Sequence, residues 1–206
     1  MSRRRIIMVN QNRELPIGYT RCAYLENSGT QWIDTGIAIN GTHKLNISFL
    51  LTKIPNKFVR IFGGRVDYSK DAFLLAVTAD NRFRFDYYNK IHFMMKVSQN
   101  EKYDVSIGDG TFKINDYIIN YNNTNFVSRA NYYIFYGHLL DVQKFTEIPC
   151  MKLYSFEIKD TISLLPSLDP SGRPCMFDTV TRQPFYNQGQ GEFGYELMDG
   201  TYVTPV

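Results

Sequence analysis

A chain of 206 residues can bury one sizeable core, and its 44% hydrophobic content, with 15 Phe and 15 Tyr, favours half-buried pleated surfaces. Twenty-three Lys and Arg stand against 20 Asp and Glu, and the formal charge of +3 is too small and too dispersed for a nucleic-acid surface across the whole domain. No apolar run is long enough to enter a membrane or form a signal-peptide core: the short stretch Ile6 to Val9 has four residues.

Residues 1–18 lack periodicity, carry the basic run Arg3, Arg4 and Arg5, and end in Pro16 and Gly18. They are expected to form a basic N-terminal arm or tether, and residues 19–206 a single domain. Leu45, Ile47, Phe49 and Leu51 recur at every second position, the mark of a strand with one buried face. Arg82 to Tyr87 repeats that alternation with a charge at every other position. Further strands are predicted over 59–62, 73–77, 92–97, 103–107, 132–136 and 151–159. Turn signals at Asp80-Asn81, 107–111 and 122–125 separate them, and Ser106 to Ile114 reads as a hairpin with Gly108 to Gly110 at its tip. No window carries a helical stripe. The expected fold is all-β, an antiparallel two-sheet β-sandwich or jelly roll. The Pro- and Gly-rich stretch from Pro166 to Gly194, with Met176, Phe177, Phe185, Tyr186 and Phe193 within it, is expected to be ordered but irregular structure closing the sandwich.

Cys22, Cys150 and Cys175 are odd in number and widely spaced, so they are expected to be unpaired core thiols, one disulfide being the alternative. Three Asn-x-Ser/Thr triplets, at Asn40, Asn46 and Asn122, matter only in a secreted protein. The carboxylates are scattered without the spacing of a catalytic pair on one strand, and His43, His92 and His138 lack zinc-site or triad partners. Gly63-Gly64 and Gly108-Asp109-Gly110 lack a phosphate-loop context and are assigned to turns or bulges. Aromatic side chains remain, because a sugar's CH face stacks on Trp or Tyr while polar neighbours bond its hydroxyls. The carbohydrate-binding candidates are Trp32, Arg65, Tyr87, Tyr88, Tyr132 and Tyr133; core packing is the competing reading for each ring. Arg65 and Asp67 either line a groove or pair with each other.

Tyr24 to Gly36, YLENSGTQWIDTG, resembles a recurrent YLESTGTQYIDTG opening of concanavalin A-like, laminin-G-type jelly-roll domains in bacteriophages and prophage-bearing bacteria. Ile61 to Arg65, Lys152 to Ile158, Pro174 to Asp178 and Phe185 to Phe193 follow in that family's order, so the resemblance spans about residues 19–194. Trp32 departs from the usual tyrosine, and Leu164-Leu165-Pro166 stands where an aromatic-rich DFIPC stretch is usual. The resemblance implies a non-enzymatic virion accessory protein, such as a head fibre, decoration or tail component, made in the host bacterial cytoplasm and adhering to glycans through a lectin-like domain. Arg3, Arg4 and Arg5 would then dock on other virion proteins, and a homo-oligomer, trimeric as phage fibres commonly are, would provide avidity. No cofactor is expected, and calcium has no motif behind it. The alternatives are a decoration domain without a ligand, and a glycoside hydrolase, which needs two carboxyls facing across a cleft at ~5 Å or ~6.5–9.5 Å.

Overall fold

The computed structural model describes residues 15–66, 71–139 and 148–206, so Arg3, Arg4, Arg5 and Asp67 lie outside the described residues. Among the described residues there are eighteen strands and no helix. In chain order they are β1 (Thr20–Asn27), β2 (Ile33–Asn40), β3 (Leu45–Leu51), β4 (Val59–Arg65), β5 (Ala72–Val77), β6 (Arg82–Tyr88), β7 (Lys90–Lys96), β8 (Lys102–Gly108) and β9 (Thr111–Ile114). They continue with β10 (Tyr117–Asn120), β11 (Val127–Ile134), β12 (His138–Leu139), β13 (Met151–Ile158), β14 (Ile162–Leu168), β15 (Pro174–Asp178), β16 (Pro184–Phe185), β17 (Gly194–Leu197) and β18 (Tyr202–Val203).

Sheet A runs β10-β9-β8-β3-β13-β1-β14-β15-β16, with β17 added on β1 and β18 on β17. Sheet B runs β2-β11-β4-β5-β6-β7, with the short β12 parallel to β4. The two sheets form the expected antiparallel sandwich. Its inner faces follow the period-two pattern: Leu45, Ile47, Phe49 and Leu51 of β3 and Phe83, Phe85 and Tyr87 of β6 are all buried. Rings from opposite sheets interlock, Phe49 edge-on to Phe83 at 6.2 Å, Phe62 to Phe156 at 5.9 Å and Phe85 to Phe112 at 4.8 Å. Such pairs add about 0.5–1.5 kcal/mol each beyond their buried area.

The 106–114 hairpin forms as predicted: Gly108 pairs with Thr111, and Asp109 (φ 52°) and Gly110 (φ 78°) take left-handed backbone at the turn. One expectation is corrected and another is met in part. Gly63 lies inside β4, beside an irregularity in the ladder to β5, and not in a turn. Its φ is 104°, and a Cβ there would fall 2.0 Å from the Phe73 carbonyl oxygen and 2.8 Å from the Leu74 Cα, so only glycine admits this approach of strand to strand. The Pro- and Gly-rich stretch from Pro166 to Gly194 is ordered and largely irregular, as expected, but it also contributes β15, β16 and the end of β14 to the ladder of sheet A. Pro166 survives in mid-sheet because β14 changes partner there: residues 162–164 pair with β13, whereas Ser167 and Leu168 pair with β1. On its other edge β14 stays in register with β15, Pro166 opposite Met176, so the break in the ladder falls on the edge where the partner changes.

One side of the sandwich is stitched shut. Gln188 N donates to Trp32 O at 2.8 Å, Gln190 N to Thr30 O at 3.2 Å, and the Gln31 amide to the carbonyls of Glu192 and Val206, both at 3.1 Å. On the opposite side, β7 and β10 are the last strands of their sheets, and the turn entering β7 and the segment leaving β10 frame a hollow.

Candidate functional site

That hollow is built by two turns facing each other. Tyr87 pairs with Lys90, which leaves Tyr88 and Asn89 as a two-residue hairpin turn between β6 and β7. Tyr88 holds φ at 53°, a conformation in which Gly, Asn or Asp is ordinary and a tyrosine costs about 1–2 kcal/mol. Across from it runs the irregular segment between β10 and β11, pinned at Tyr121 N to Gly110 O (2.8 Å) and by Gly41 N to Phe126 O (2.9 Å).

The Tyr87 hydroxyl ties the two sides together. It accepts the Thr124 N–H at 2.9 Å, and its single proton can go to one of three oxygens around it: Thr124 O at 2.8 Å, Gly41 O at 2.9 Å or Asn123 Oδ1 at 3.0 Å. Between the turns lies a pocket of about 420 Å³, lined by the rings of Tyr87, Tyr88, Tyr121 and His92, the amides of Asn89, Asn120 and Asn122, and Lys90 and Thr124. The rings support one another: Tyr87 and Tyr121 centroids lie 4.3 Å apart, Tyr88 rests on Phe126 at 5.4 Å, and His92 stacks on Phe85 at 6.2 Å. Burial, the larger cause in both, pushes the Tyr87 and Tyr121 phenols above their ordinary range, so both stay neutral near neutral pH. Such a lining offers flat apolar faces, amide donors and acceptors and one ammonium group, and no carboxylate is among its described residues. Among the described residues no three His, Cys, Asp or Glu side chains are grouped closely enough to hold a metal ion.

Of the six predicted carbohydrate-binding residues, the pocket gathers Tyr87 and Tyr88. Two others are corrected. Tyr132 is fully buried, its ring edge-on to Phe73 at 5.4 Å, because the alternation of β11 turns it into the core. Arg65 is buried at the end of β4, where its NH1 donates to Asp86 Oδ2 at 3.1 Å, and so it lines no groove. Trp32 and Tyr133 come together away from the pocket. Their rings stack at 4.7 Å with Tyr136 alongside, on the half-buried outer side of sheet B. Burial and then the neighbouring Asp34 push the Tyr133 phenol up to about 12. Sequence reading missed Tyr121, His92 and the three asparagines; the Asn-rich turn signal at 122–125 was their one local trace, and it does not show that the turn faces the β6–β7 hairpin.

No protein family and no curated protein matches the chain. It is similar in structure to a Trypanosoma rangeli sialidase in complex with sialic acid, at 11% identity and a TM-score of 0.41 over 55% of this chain and 20% of that one. It is also similar to a mutant of Trypanosoma rangeli sialidase displaying trans-sialidase activity, at 9% identity and a TM-score of 0.42 with the same coverage. The chain thus spans about a fifth of the length of these enzymes. The expectation of a non-enzymatic phage head-fibre, decoration or tail protein is corrected here: the matched structures are enzymes, sialidases, and nothing in them points to a virion.

Proposed function

We propose that this β-sandwich is a lectin-like carbohydrate-recognition domain of the concanavalin A-like kind, and that it holds a sugar in the pocket between the β6–β7 turn and the β10–β11 segment. The observation that carries the reading is the meeting of three asparagine amides with the part-exposed rings of Tyr88 and His92, backed by the buried Tyr87 and Tyr121, in one pocket of about 420 Å³, within the range of small-molecule sites. A sugar ring lying against Tyr88 or His92 would present its hydroxyls to Asn89, Asn120 and Asn122, and closing the pocket would desolvate those bonds. Tyr88 strengthens the reading, since a strained backbone at a turn persists where its side chain is needed.

The test is a glycan-array screen of the full chain on a multivalent support, repeated with Tyr88→Asn. Asparagine tolerates the left-handed turn, so the fold is kept while the platform is removed. Binding to a defined sugar class that weakens about tenfold, the equivalent of ~1.4 kcal/mol of ring contact, is expected. Silence across the array, or binding indifferent to both Tyr88→Asn and His92→Ala, would refute the assignment.

A further inference from the structure

A second and larger hollow lies on the outer face of sheet A. Strand register places Ser155 of β13 opposite Ser48 of β3, and Ser48 opposite Asp104 of β8. One step along, Asn46 faces Ser106 and Ser106 faces Lys113 of β9. Because Leu45, Ile47 and Phe49 point into the core, Asn46 and Ser48 point out of it, and the irregularity at Leu153/Ser155 turns Ser155 to the same side. These side chains line a groove of about 530 Å³. It continues, through the shared Asn46, Ser106 and Lys113, into a hollow of about 300 Å³ that ends at Lys44, Lys159 and the Gly108-Asp109 turn.

Two independent features point to a ligand there. The first is Ser48, only 8% exposed, whose Oγ is buried without any hydrogen-bond partner. Buried hydroxyls are nearly always paired, and this unpaired one belongs to a residue of the groove's lining, where a partner can be supplied from outside the chain. The second is the gradation of charge. The Ser48 end carries Asp104 and Asp116 beside Lys113, which both hollows share, while the far end adds Lys44 and Lys159 and one carboxylate, Asp109, which pairs with Lys44; Asn46, also shared, donates to Glu157.

We infer that this groove binds a linear acidic oligosaccharide of the uronate class. Sugar hydroxyls donate to Asp104 and exchange hydrogen bonds with Ser48, and a ring carboxylate sits against Lys113 and Lys159. A neutral glycan would leave the lysine end unmatched. A single-stranded nucleic acid would also need aromatic side chains on which to stack its bases, and none of the described residues lining the groove is aromatic. The groove crosses β13, β3, β8 and β9, neighbouring strands about 4.8 Å apart, so it suits a short run of sugar rings and not a single one. It shares no lining residue with the aromatic pocket and stands whether or not that pocket binds a sugar.

The experiment is titration calorimetry of the full chain with an oligogalacturonate, a neutral cello-oligosaccharide of equal length and a single-stranded oligonucleotide. Oligogalacturonate binding is expected to weaken as salt is raised. It should fall at least about tenfold in Lys113→Gln/Lys159→Gln, fall in Ser48→Val, and persist in Tyr88→Asn. The lysines are exposed, so their double variant keeps the fold. Absence of oligogalacturonate binding, equal binding of the neutral oligosaccharide, preference for the oligonucleotide, or affinity unchanged by the lysine substitutions would each overturn the inference. Loss in Tyr88→Asn alone would assign the uronate to the pocket and also overturn it.

Discussion

Replacing Asp86 by alanine should unfold this protein more readily than any change at its exposed ion pairs. Asp86 is 1% exposed, takes a bidentate pair of bonds from Arg84 (Nε at 2.6 Å, NH2 at 2.7 Å), and accepts a third from the buried Arg65. Removing it withdraws the carboxylate shared by two guanidinium groups in a place where water cannot readily replace it, a change that costs about 3–5 kcal/mol. For a chain of 206 residues each kcal/mol moves the melting temperature by roughly 2–4 °C, so the midpoint should fall by about 6–20 °C. Thermal melts by circular dichroism and urea titrations with an unchanged m-value would measure it. The control is Asp109→Asn, which keeps the left-handed turn residue and breaks only the solvent-exposed pair with Lys44, expected to cost less than about 1 kcal/mol. An Asp86→Ala loss no larger than the control's would refute the claim that this cluster is dry and coupled.

Acid should weaken the fold in two separate windows. Burial holds the His43 imidazole, 3.3 Å from the Tyr132 hydroxyl, below its ordinary value, so the unfolded chain protonates first. The stability tied to neutral His43 is complete above about pH 6.5 and declines as the pH falls through that value. His43→Gln should flatten this part of a melting-temperature profile; an unchanged slope would count against it. Asp169, held at about 2 chiefly by the Ser171 hydroxyl, contributes above its unfolded value near ~3.9 and loses that contribution only as the pH falls toward 2. Asp169→Asn should lower the melting temperature by a constant amount above about pH 4 and flatten the profile in that lower window alone. Thiol labelling provides a further check: burial pushes Cys22 to about 11 and Cys175 to about 12, whereas Cys150 is only half-buried. In the native protein an alkylating reagent should modify Cys150 first and the other two only on unfolding; simultaneous labelling would contradict the packing around β1 and β15.

The sandwich was legible where a strand has one wet face. Charges alternating with Phe83, Phe85 and Tyr87, and the apolar series in β3, force a single register because a slip of one residue would expose a core ring. Strands that carry Gly or Pro for tertiary reasons were not legible. β4 needs Gly63 because Phe73 crosses it closely, and β14 tolerates Pro166 because it trades neighbours at that residue; neither cause is local in sequence. The same limit governs the sites. Tyr87 and Tyr88 could be singled out as a pair of rings, but their meeting with Tyr121 and His92 depends on two turns more than thirty residues apart in sequence. The groove on sheet A carries no aromatic signal at all, and its orphaned Ser48 is recognisable only once the strands on either side are in place. Arg65 and Tyr132 show the converse error, since the residue types that bind sugars are also those that fill a large β-core.

The place of β1 within sheet A also fixes an order in time. β1 lies in the middle of sheet A, yet Asn27 receives its bond from Met151, 124 residues later, and Gln31 donates to Val206, 175 residues later. At roughly 5–20 residues per second, a ribosome would hold the apolar face of β1 unsatisfied for several seconds or more before its neighbours emerged. Leu25, with its eventual neighbours still unmade, is thus a natural stretch for a chaperone to shield during synthesis.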